Sequence, residues 1–363
     1  MNVIALVTSR TPAAVCVYLS AVVCTATVWC MAEEPGAWHH ALVVDTTDVD
    51  GKVHVVDSLA DDPVVRELFP GSELVWITVN ERGQALCARR SGTTTEVLFL
   101  ETTDPSVDPV TITGLDLPTD VEGALSPDGR TLCVRRKRGE VNTIEVIDLA
   151  SGEVERVFEA EGPLSPPSWS SDGMAIAYYF GPPEALINDG FEVGVSVRDD
   201  DKWKHTAVAD PSKLCHRSPS RTRAPGWAYG GRAIIFEARY KDDEIGPQAY
   251  LVNIDGTGLT WLAAGGVQAT DYAGKHIVCA RPEEGIFLRH ADTGEERQIS
   301  LQKGAYAPRV SADGTFVAYS DSDGKIFVME SDGSRLRLAM STGRGVPTWR
   351  FSWVRTGEGA KEP

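Results

Sequence analysis

The side chains best suited to binding chemistry are basic residues that occur in short groups within an acidic chain. The sequence of 363 residues has a formal net charge of −17, which disfavours nucleic acid as a partner. Arginine and lysine bind carboxylates through charge-assisted hydrogen bonds. We name the following set the basic rim: Arg89, Arg90, Arg135, Arg136, Lys137, Arg138, Lys213, Arg217, Arg221 and Arg223, with Trp203 as an aromatic neighbour. The set predicts a site for a carboxylate-rich or other anionic partner, although solvated turns without a ligand give the same pattern.

The sequence contains no pattern that indicates a catalytic nucleophile or a clustered metal site. It has no G-x-S-x-G, the seven histidines include no H-E-x-x-H or H-x-H, and no C-x-x-C occurs. We therefore predict no catalytic residue, no metal and no cofactor.

One acidic turn has part of the spacing of a calcium loop. The stretch "YSDSDGKIFVME", from residue 319 to 330, puts Asp321 and Asp323 at ligand positions, but Tyr319 stands first and cannot serve. An Asp-Gly pair between two apolar runs is also typical of a hairpin turn. The hairpin is the favoured interpretation, which leaves Asp321 and Asp323 as weak calcium candidates.

Residues 1–32 have the composition of an export signal. Arg10 is their only charged side chain, and residues 13–32 are uncharged and mostly apolar. "CMA" before Glu33 offers the small residues that a signal peptidase reads. We interpret the segment as a cleaved signal peptide or as a membrane anchor formed by residues 11–32. Both interpretations predict an exported protein, periplasmic or extracellular, with membrane contact only through an uncleaved leader.

Packing roles are predicted for several cysteines and tryptophans. Three of the seven cysteines lie in the leader, and Cys87 and Cys133 each follow a turn glycine by four residues. We predict that these two are small buried residues, because free cysteine is usually buried. Trp169, Trp227 and Trp349 are predicted to pack between repeats from equivalent inner positions.

A turn of small polar residues with Asp-Gly, followed by an apolar strand, recurs through the chain. The turn glycines stand at positions 83, 129, 173, 231, 274 and 314, so they recur every 40 to 58 residues. Each precedes a short apolar run, such as "TLCVR", "AIAYYF" or "FVAYS", and a second run follows. This period is typical of one four-stranded sheet per repeat.

These repeats predict an all-β chain folded as a β-propeller over residues 38–355, with a short polar tail at 356–363. "GVPTWRFSW" near the C-terminus supplies one strand, and "HALVVD", "KVHVVD" and "VVRELF" near the N-terminus supply three. Joined, they form a composite blade that makes the total seven. Six blades are the alternative if the unit at Gly274 is not a blade, and residues 57–69 also fit a short helix.

The units "LSPDG", "WSSDG" and "VSADG" resemble those of the TolB-like and WD-repeat-like β-propeller family. They also resemble the propeller domains of prolyl-oligopeptidase relatives. The clearest instances lie at 125–134, 167–179 and 308–319, and the pattern departs at Gly83, after "NER", and at Gly274, after "DYA". The resemblance implies a propeller used for protein contacts, often outside the cytoplasm, and it carries no catalytic residue over.

Long insertions are predicted on one face of the ring. With strands named a to d from the centre outward, the a–b and c–d turns share one face, here the turn face. The b–c loops and d–a crossovers share the other, here the loop face. Insertions at 181–190, 209–224 and 239–247 belong to the loop face. The predicted basic rim lies there too: Arg89 and Arg90 in the b–c loop of blade 1, residues 135–138 in that of blade 2, and its other four cations in the crossover into blade 4. We predict a monomeric, non-enzymatic scaffold that binds a protein or peptide there; a hydrolase or lyase with a site in the central funnel is the alternative.

Overall fold

The structure is a computed structural model in which nearly every regular element is a short strand. It describes residues 39–46, 51–57, 63–70, 72–80, 82–91, 94–102, 108–113, 122–183, 191–200, 202–209, 224–238, 248–263, 270–273, 276–281, 283–290, 293–311, 313–343 and 351–356. Every helix or strand within these ranges is a β-strand. None of the described residues forms a helix long and apolar enough to cross a membrane. The leader and most of the three long predicted loops lie outside the described residues.

The described strands form seven four-stranded antiparallel sheets. The first strands are β1 (His39–Asp45), β2 (Val53–Asp57) and β3 (Val64–Leu68). Blade 1 contains β4 (Glu73–Val79), β5 (Gln84–Ser91), β6 (Thr94–Glu101) and β7 (Val110–Ile112). Blade 2 contains β8 (Glu122–Leu125), β9 (Thr131–Arg138), β10 (Val141–Asp148) and β11 (Val154–Ala160). Blade 3 contains β12 (Ser168–Trp169), β13 (Ala175–Phe180), β14 (Glu192–Asp199) and β15 (Lys202–Ala209).

The remaining strands complete the ring. Blade 4 contains β16 (Gly226–Ala228), β17 (Ala233–Ala238), β18 (Gln248–Asn253) and β19 (Thr260–Ala263). Blade 5 contains β20 (Thr270–Ala273), β21 (His276–Arg281), β22 (Gly285–His290) and β23 (Glu296–Ser300). Blade 6 contains β24 (Tyr306–Val310), β25 (Phe316–Ser320), β26 (Lys325–Glu330) and β27 (Arg337–Ser341). Blade 7 joins β28 (Phe351–Thr356) to the first three strands in the order β28-β1-β2-β3.

The sheets form a closed seven-bladed propeller. The inner strands of successive blades contact one another from β4 through β8, β12, β16, β20 and β24 to β28. Blade 7 then packs against blade 1, where Val354 shares an apolar cluster with Leu74 and Cys87. The predicted seven-bladed ring is confirmed, and the six-bladed alternative is wrong because the unit at Gly274 forms the complete blade 5. The "VVREL" segment is the outer strand β3, so the helical alternative for residues 57–69 is also wrong there.

The core lies between blades, because the middle strands are buried on both faces. In β13, Ala177 and Tyr179 pack toward blade 4, whereas Ile176 and Tyr178 pack toward blade 2. Side chains alternate between the two faces of a strand, so a strand buried on both faces reads as a continuous apolar run. This explains why "AIAYYF" has no polar alternation. Seven such clusters of described residues each join two neighbouring blades.

The recurring Ser-x-Asp-Gly turn is a hydrogen-bonded a–b connection. In blade 2, Ser126 Oγ donates to Asp128 Oδ1 at 2.6 Å, and the Thr131 amide donates to Ser126 Oγ at 3.0 Å. Gly129 follows with a φ of +74°, a conformation that glycine adopts without steric cost. The same serine–aspartate contact occurs in blade 3 and in blade 6. The repeated motif therefore starts each b strand at a fixed point.

Tryptophan side chains link the inner strands of neighbouring blades. Trp169 Nε1 donates to the Ala124 carbonyl at 3.0 Å, and Trp227 Nε1 donates to the Ser168 carbonyl at 3.1 Å. Trp353 Nε1 makes the corresponding bond to the Arg309 carbonyl at 3.0 Å. Trp349, which the sequence analysis placed in this role, lies outside the described residues. Trp353 fills the linking role in the described part of blade 7.

Candidate functional site

The candidate site is the loop-face end of blades 1 and 2, where the described part of the basic rim lies. Arg89 and Arg90 stand near the end of β5, and residues 135–138 are the last four of β9. These residues were predicted in b–c loops, but the strands continue through them. In blade 2 only Gly139 and Glu140 separate β9 from β10, because Gly139, with a φ of +65°, permits a tight hairpin.

Strand alternation divides the basic run of blade 2 between two sides. Leu132 and Val134 pack against blade 1, whereas Cys133 packs against blade 3. Arg136 and Arg138 continue the series that faces blade 1, and Arg135 and Lys137 continue the series that faces blade 3. The four residues therefore do not form one patch; two lie on the side of blade 2 that faces blade 1, and two lie on the side that faces blade 3.

Glu145 holds the two arginines that face blade 1. Its side chain is 2% exposed, and Arg138 binds it with two hydrogen bonds of 2.7 and 3.0 Å. Arg136 Nε lies 3.5 Å from Glu145 Oε2, and Thr143 Oγ1 donates to Oε1 at 3.2 Å. Burial raises the pKa of Glu145, but these hydrogen bonds and charges outweigh it and lower the pKa below its ordinary value. Glu145 is therefore a carboxylate at neutral pH.

The basic residues of blade 1 are paired as well. Arg89 Nη2 lies 2.7 Å from Glu96 Oε2, and its guanidinium carbon lies 5.9 Å from the centre of the Phe69 ring. Arg90 Nη1 lies 3.0 Å from Glu73 Oε1.

Blade 2 also presents two cations toward blade 3. Arg135 Nη1 donates to the Leu164 carbonyl at 2.8 Å. Lys137 is exposed. Six cationic side chains thus lie at this end of blades 1 and 2, and the carboxylates of Glu73, Glu96 and Glu145 contact four of them. Acidic residues lie at the same end, among them Glu122 opposite Arg135 and Glu140 in the hairpin.

Trp203 lies at the other end of its blade from the basic residues. It is the second residue of the d strand β15, just after the c–d turn, so it belongs to the turn face. Its ring centre is 6.0 Å from that of Trp169, and the Arg198 guanidinium lies 5.7 Å from its centroid. It is half-buried against the cluster between blades 2 and 3. The structure does not bring it together with the arginines of blades 1 and 2.

The calcium candidates form a hairpin between β25 and β26 on the loop face. Asp321 is buried, and its Oδ1 accepts the amides of Asp323 and Lys325, each at 2.9 Å. Asp323 Oδ2 lies 3.4 Å from Lys325 Nζ. Within the described ranges, no group of three His, Cys, Asp or Glu side chains could hold a metal ion. The turn amides thus already use one oxygen of Asp321, and calcium binding stays a weak prediction.

The other predicted residues either lie outside the described residues or are buried in the core. The four basic residues of the crossover into blade 4 lie outside the described residues: Lys213, Arg217, Arg221 and Arg223. Cys87 and Cys133 are buried, as predicted, and Cys279 is buried too. Burial raises the thiol pKa of Cys87 and Cys279 to about 12, so these thiols are unreactive packing groups at neutral pH.

Sequence reasoning missed the acidic partners of the basic rim. Glu145 stands in the apolar run "TIEVID", and it pairs across the sheet with Val134. A charged residue at a position that strand alternation buries is a signal for a buried ion pair. The same signal at Glu96 is weaker, since its side chain is 36% exposed.

Comparison with known proteins shows similarity of fold. No protein-family model matches the sequence, and no curated protein matches it. The chain is similar to the structure of the tricorn protease, with a TM-score of 0.60 and 10% identity over 86% of this chain and 34% of that one. It is also similar to a structure from a study of two prolyl endopeptidases, with a TM-score of 0.56 and 13% identity over 75% of this chain and 43% of that one.

A third similar structure is an oligogalacturonate lyase in complex with manganese, with a TM-score of 0.55 and 16% identity over 73% of this chain and 76% of that one. TolB from Acinetobacter baumannii is also among the structural neighbours, with a TM-score of 0.48 and 17% identity over 88% of this chain and 83% of that one. The chain spans 34% of the tricorn protease chain and 43% of the prolyl endopeptidase chain. At these identities the comparisons support the fold alone.

Proposed function

We propose that this propeller is an exported, monomeric scaffold that binds an acidic protein or peptide on its loop face. The observation that carries the proposal is the grouping of six cationic side chains at the loop-face end of blades 1 and 2, in a chain with a net charge of −17. Cationic side chains grouped at one end of an acidic protein steer and orient an anionic partner. Export rests on the composition of residues 1–32, which have one charged side chain.

Lys137 is the side chain most able to meet a partner, because it is exposed at the end of β9. Arg136 and Arg138 share one buried carboxylate, so they supply a fixed positive edge beside it. A partner carboxylate that approaches between blades 2 and 3 would meet Lys137 first.

The test measures binding of a fluorescent Glu- and Asp-rich peptide to the full chain by anisotropy, beside a neutral peptide of equal length. Lys137→Glu should weaken binding of the acidic peptide by about 3- to 10-fold at low salt, because a negative charge that repels the peptide replaces a positive charge that attracts it. Lys202→Glu is the matched control, since Lys202 is also exposed but lies at the turn-face end of blade 3. Added salt should reduce the difference between the variants.

The proposal would be overturned by either of two results. One is equal binding of the acidic and the neutral peptide by the unchanged protein. The other is an equal loss for Lys137→Glu and Lys202→Glu, which would show that only the total charge of the protein matters.

A further inference from the structure

Two histidines of blade 5 face each other across a strand pair. His276 is the first residue of β21 and His290 is the last residue of β22, and the two are direct cross-strand partners. Their ring centres lie 5.3 Å apart with the rings almost perpendicular, at 88°. Directly opposed residues of an antiparallel pair project to the same side of the sheet. Both imidazoles therefore reach the same space, although 13 residues separate them along the chain.

The pair lies at the boundary between blades 5 and 6, on the turn face. Val278 and Leu288, two residues further into each strand, pack in the cluster shared with blade 6. Both histidines are half-buried, so the rings are held by the protein yet remain accessible. The site is thus distinct from the basic rim, which lies on the other face and on other blades.

One cation, Arg297, acts on the pair. Arg297, on the neighbouring strand β23, donates from Nη2 to the Ser331 carbonyl of blade 6 at 3.0 Å, and Asp332 follows in that turn. Burial, then His290 and Arg297, lower the pKa of His276 below its ordinary value. The Thr293 amide approaches His290 Nδ1 at 3.4 Å, a long contact that costs little to lose.

We propose that His276 and His290 form a binding site for a first-row transition-metal ion of the Zn²⁺ or Cu²⁺ type. Neutral imidazole is a preferred ligand of these ions, whereas Ca²⁺ and Mg²⁺ prefer oxygen ligands. A hydrogen-bonded strand pair holds the two rings near each other, so binding an ion costs little conformational entropy. The described residues supply only these two ligands to the ion, which leaves coordination positions for water or for a ligand from outside.

This inference departs from the sequence-based prediction of no metal site. That prediction examined histidines that are close along the chain, and it could not use a pair formed by strand register. The site is expected to be weaker than a structural zinc site, since such sites have four protein ligands.

The experiment is a calorimetric titration of the full chain, purified without a polyhistidine tag, with ZnCl₂ and then CuCl₂. His276→Ala and His290→Ala should each weaken binding by about tenfold or more, because each removes one of two ligands. His54→Ala is the matched control, since it removes a half-buried imidazole from β2 in blade 7. CaCl₂ should give no heat that depends on either histidine.

A fourth variant keeps the test decisive if an alanine variant fails to fold. Arg297→Gln retains both imidazoles and removes the nearby cation, so it should raise metal affinity by about 2- to 5-fold. Binding should also weaken at acidic pH, because protons then compete with the ion for the ring nitrogens. The inference is overturned if no zinc or copper binds, if His54→Ala and His276→Ala lose affinity equally, or if Arg297→Gln leaves affinity unchanged.

Discussion

At the level of single residues, Asp313 makes a hydrogen bond from blade 6 to the N-terminal strand of blade 7. His40, at the start of β1, is 2% exposed, and its Nε2 lies 3.0 Å from Asp313 Oδ2 in the a–b turn of blade 6. Phe316 and Trp353 flank the imidazole at 5.8 and 5.9 Å. Burial raises the pKa of Asp313, but hydrogen bonds from His40, Ser311 and Thr315 outweigh it and hold the pKa well below its ordinary range.

This contact predicts a pH-dependent contribution to stability. A carboxyl group with a depressed folded-state pKa stabilises the fold above its unfolded pKa of about 3.9 and loses that effect as the pH falls toward the folded value. Asp313→Asn should therefore lower the free energy of unfolding in urea by about 1–2 kcal/mol near neutral pH. The difference from the unchanged protein should shrink once the pH falls below about 4.

Asp128→Asn is the control for this prediction. Asp128 occupies the same turn position in blade 2, and its described contacts are with Ser126 and Arg130. This variant should cost less than Asp313→Asn, because it breaks no contact between blades. A difference between Asp313→Asn and the unchanged protein that stayed constant with pH would contradict the assignment.

At the level of strands, Gly194 makes room for an aromatic cluster between blades 2 and 3. A Cβ atom at this position of β14 would lie 2.8 Å from the Tyr178 ring and 3.1 Å from both Phe180 and His205. Those rings are in mutual contact, and the Tyr178 hydroxyl hydrogen-bonds to Ser196 Oγ and His205 Nδ1 at 2.7 and 2.9 Å. The packing of β14 against these rings therefore requires a residue without a side chain at position 194.

Gly194→Ala should therefore destabilise the protein by about 1–3 kcal/mol, because an added methyl group overpacks the cluster. Urea unfolding followed by tryptophan fluorescence measures the change. Gly226→Ala is the matched control: its nearest neighbours would lie 3.7 Å or more from the new methyl group, which is ordinary contact. Equal costs for the two variants would show that the Gly194 site is not tightly packed.

The strands also show how far the sequence determines the fold. The turn glycines mark where each b strand begins, so the number and order of blades could be predicted from their spacing, together with the composite blade. The end of a strand carries no such mark. For this reason Arg135 to Arg138 were predicted in a loop, whereas β9 continues to Arg138.

The candidate site was less predictable for a related physical reason. Charge pairing depends on cross-strand register, which places Thr143 opposite Arg136 and Glu145 opposite Val134. When the register is not known, the sequence identifies the basic residues but not the carboxylates that contact them. Trp203 shows the same limit: its charged sequence neighbours suggested the rim, but the direction of β15 places it at the turn face.

At the level of the whole molecule, stability depends on closure of the ring. Each blade contributes to two interblade clusters, so a blade without a neighbour would expose one apolar face. Closure depends on strand pairing between the two ends of the described chain, where Leu42 is opposite Trp353 and Val43 is opposite Ser352. A rigid, closed ring is what would hold the basic residues of blades 1 and 2 in place.

The most direct test of this account is a disulfide between the two chain ends, in the variant Val43→Cys with Ser352→Cys. Cross-strand partners are about 4.5–5.5 Å apart at Cα, which matches disulfide geometry. Cys16, Cys24, Cys30 and Cys215 are replaced by serine in every variant, and the thiols of Cys87, Cys133 and Cys279 are buried, so they should not compete. Val43→Cys with Ser341→Cys, which targets the outer strand of blade 6, is the control.

Peptide mass spectrometry without reduction should find the 43–352 link within one molecule, formed in the folded protein under mild oxidation. The oxidised form should be more stable in urea than the reduced form by about 2–5 kcal/mol, since the link closes a very long loop. The control pair should give no link. Absence of the 43–352 link, or a link that forms only between two molecules, would contradict a ring closed by its own two ends.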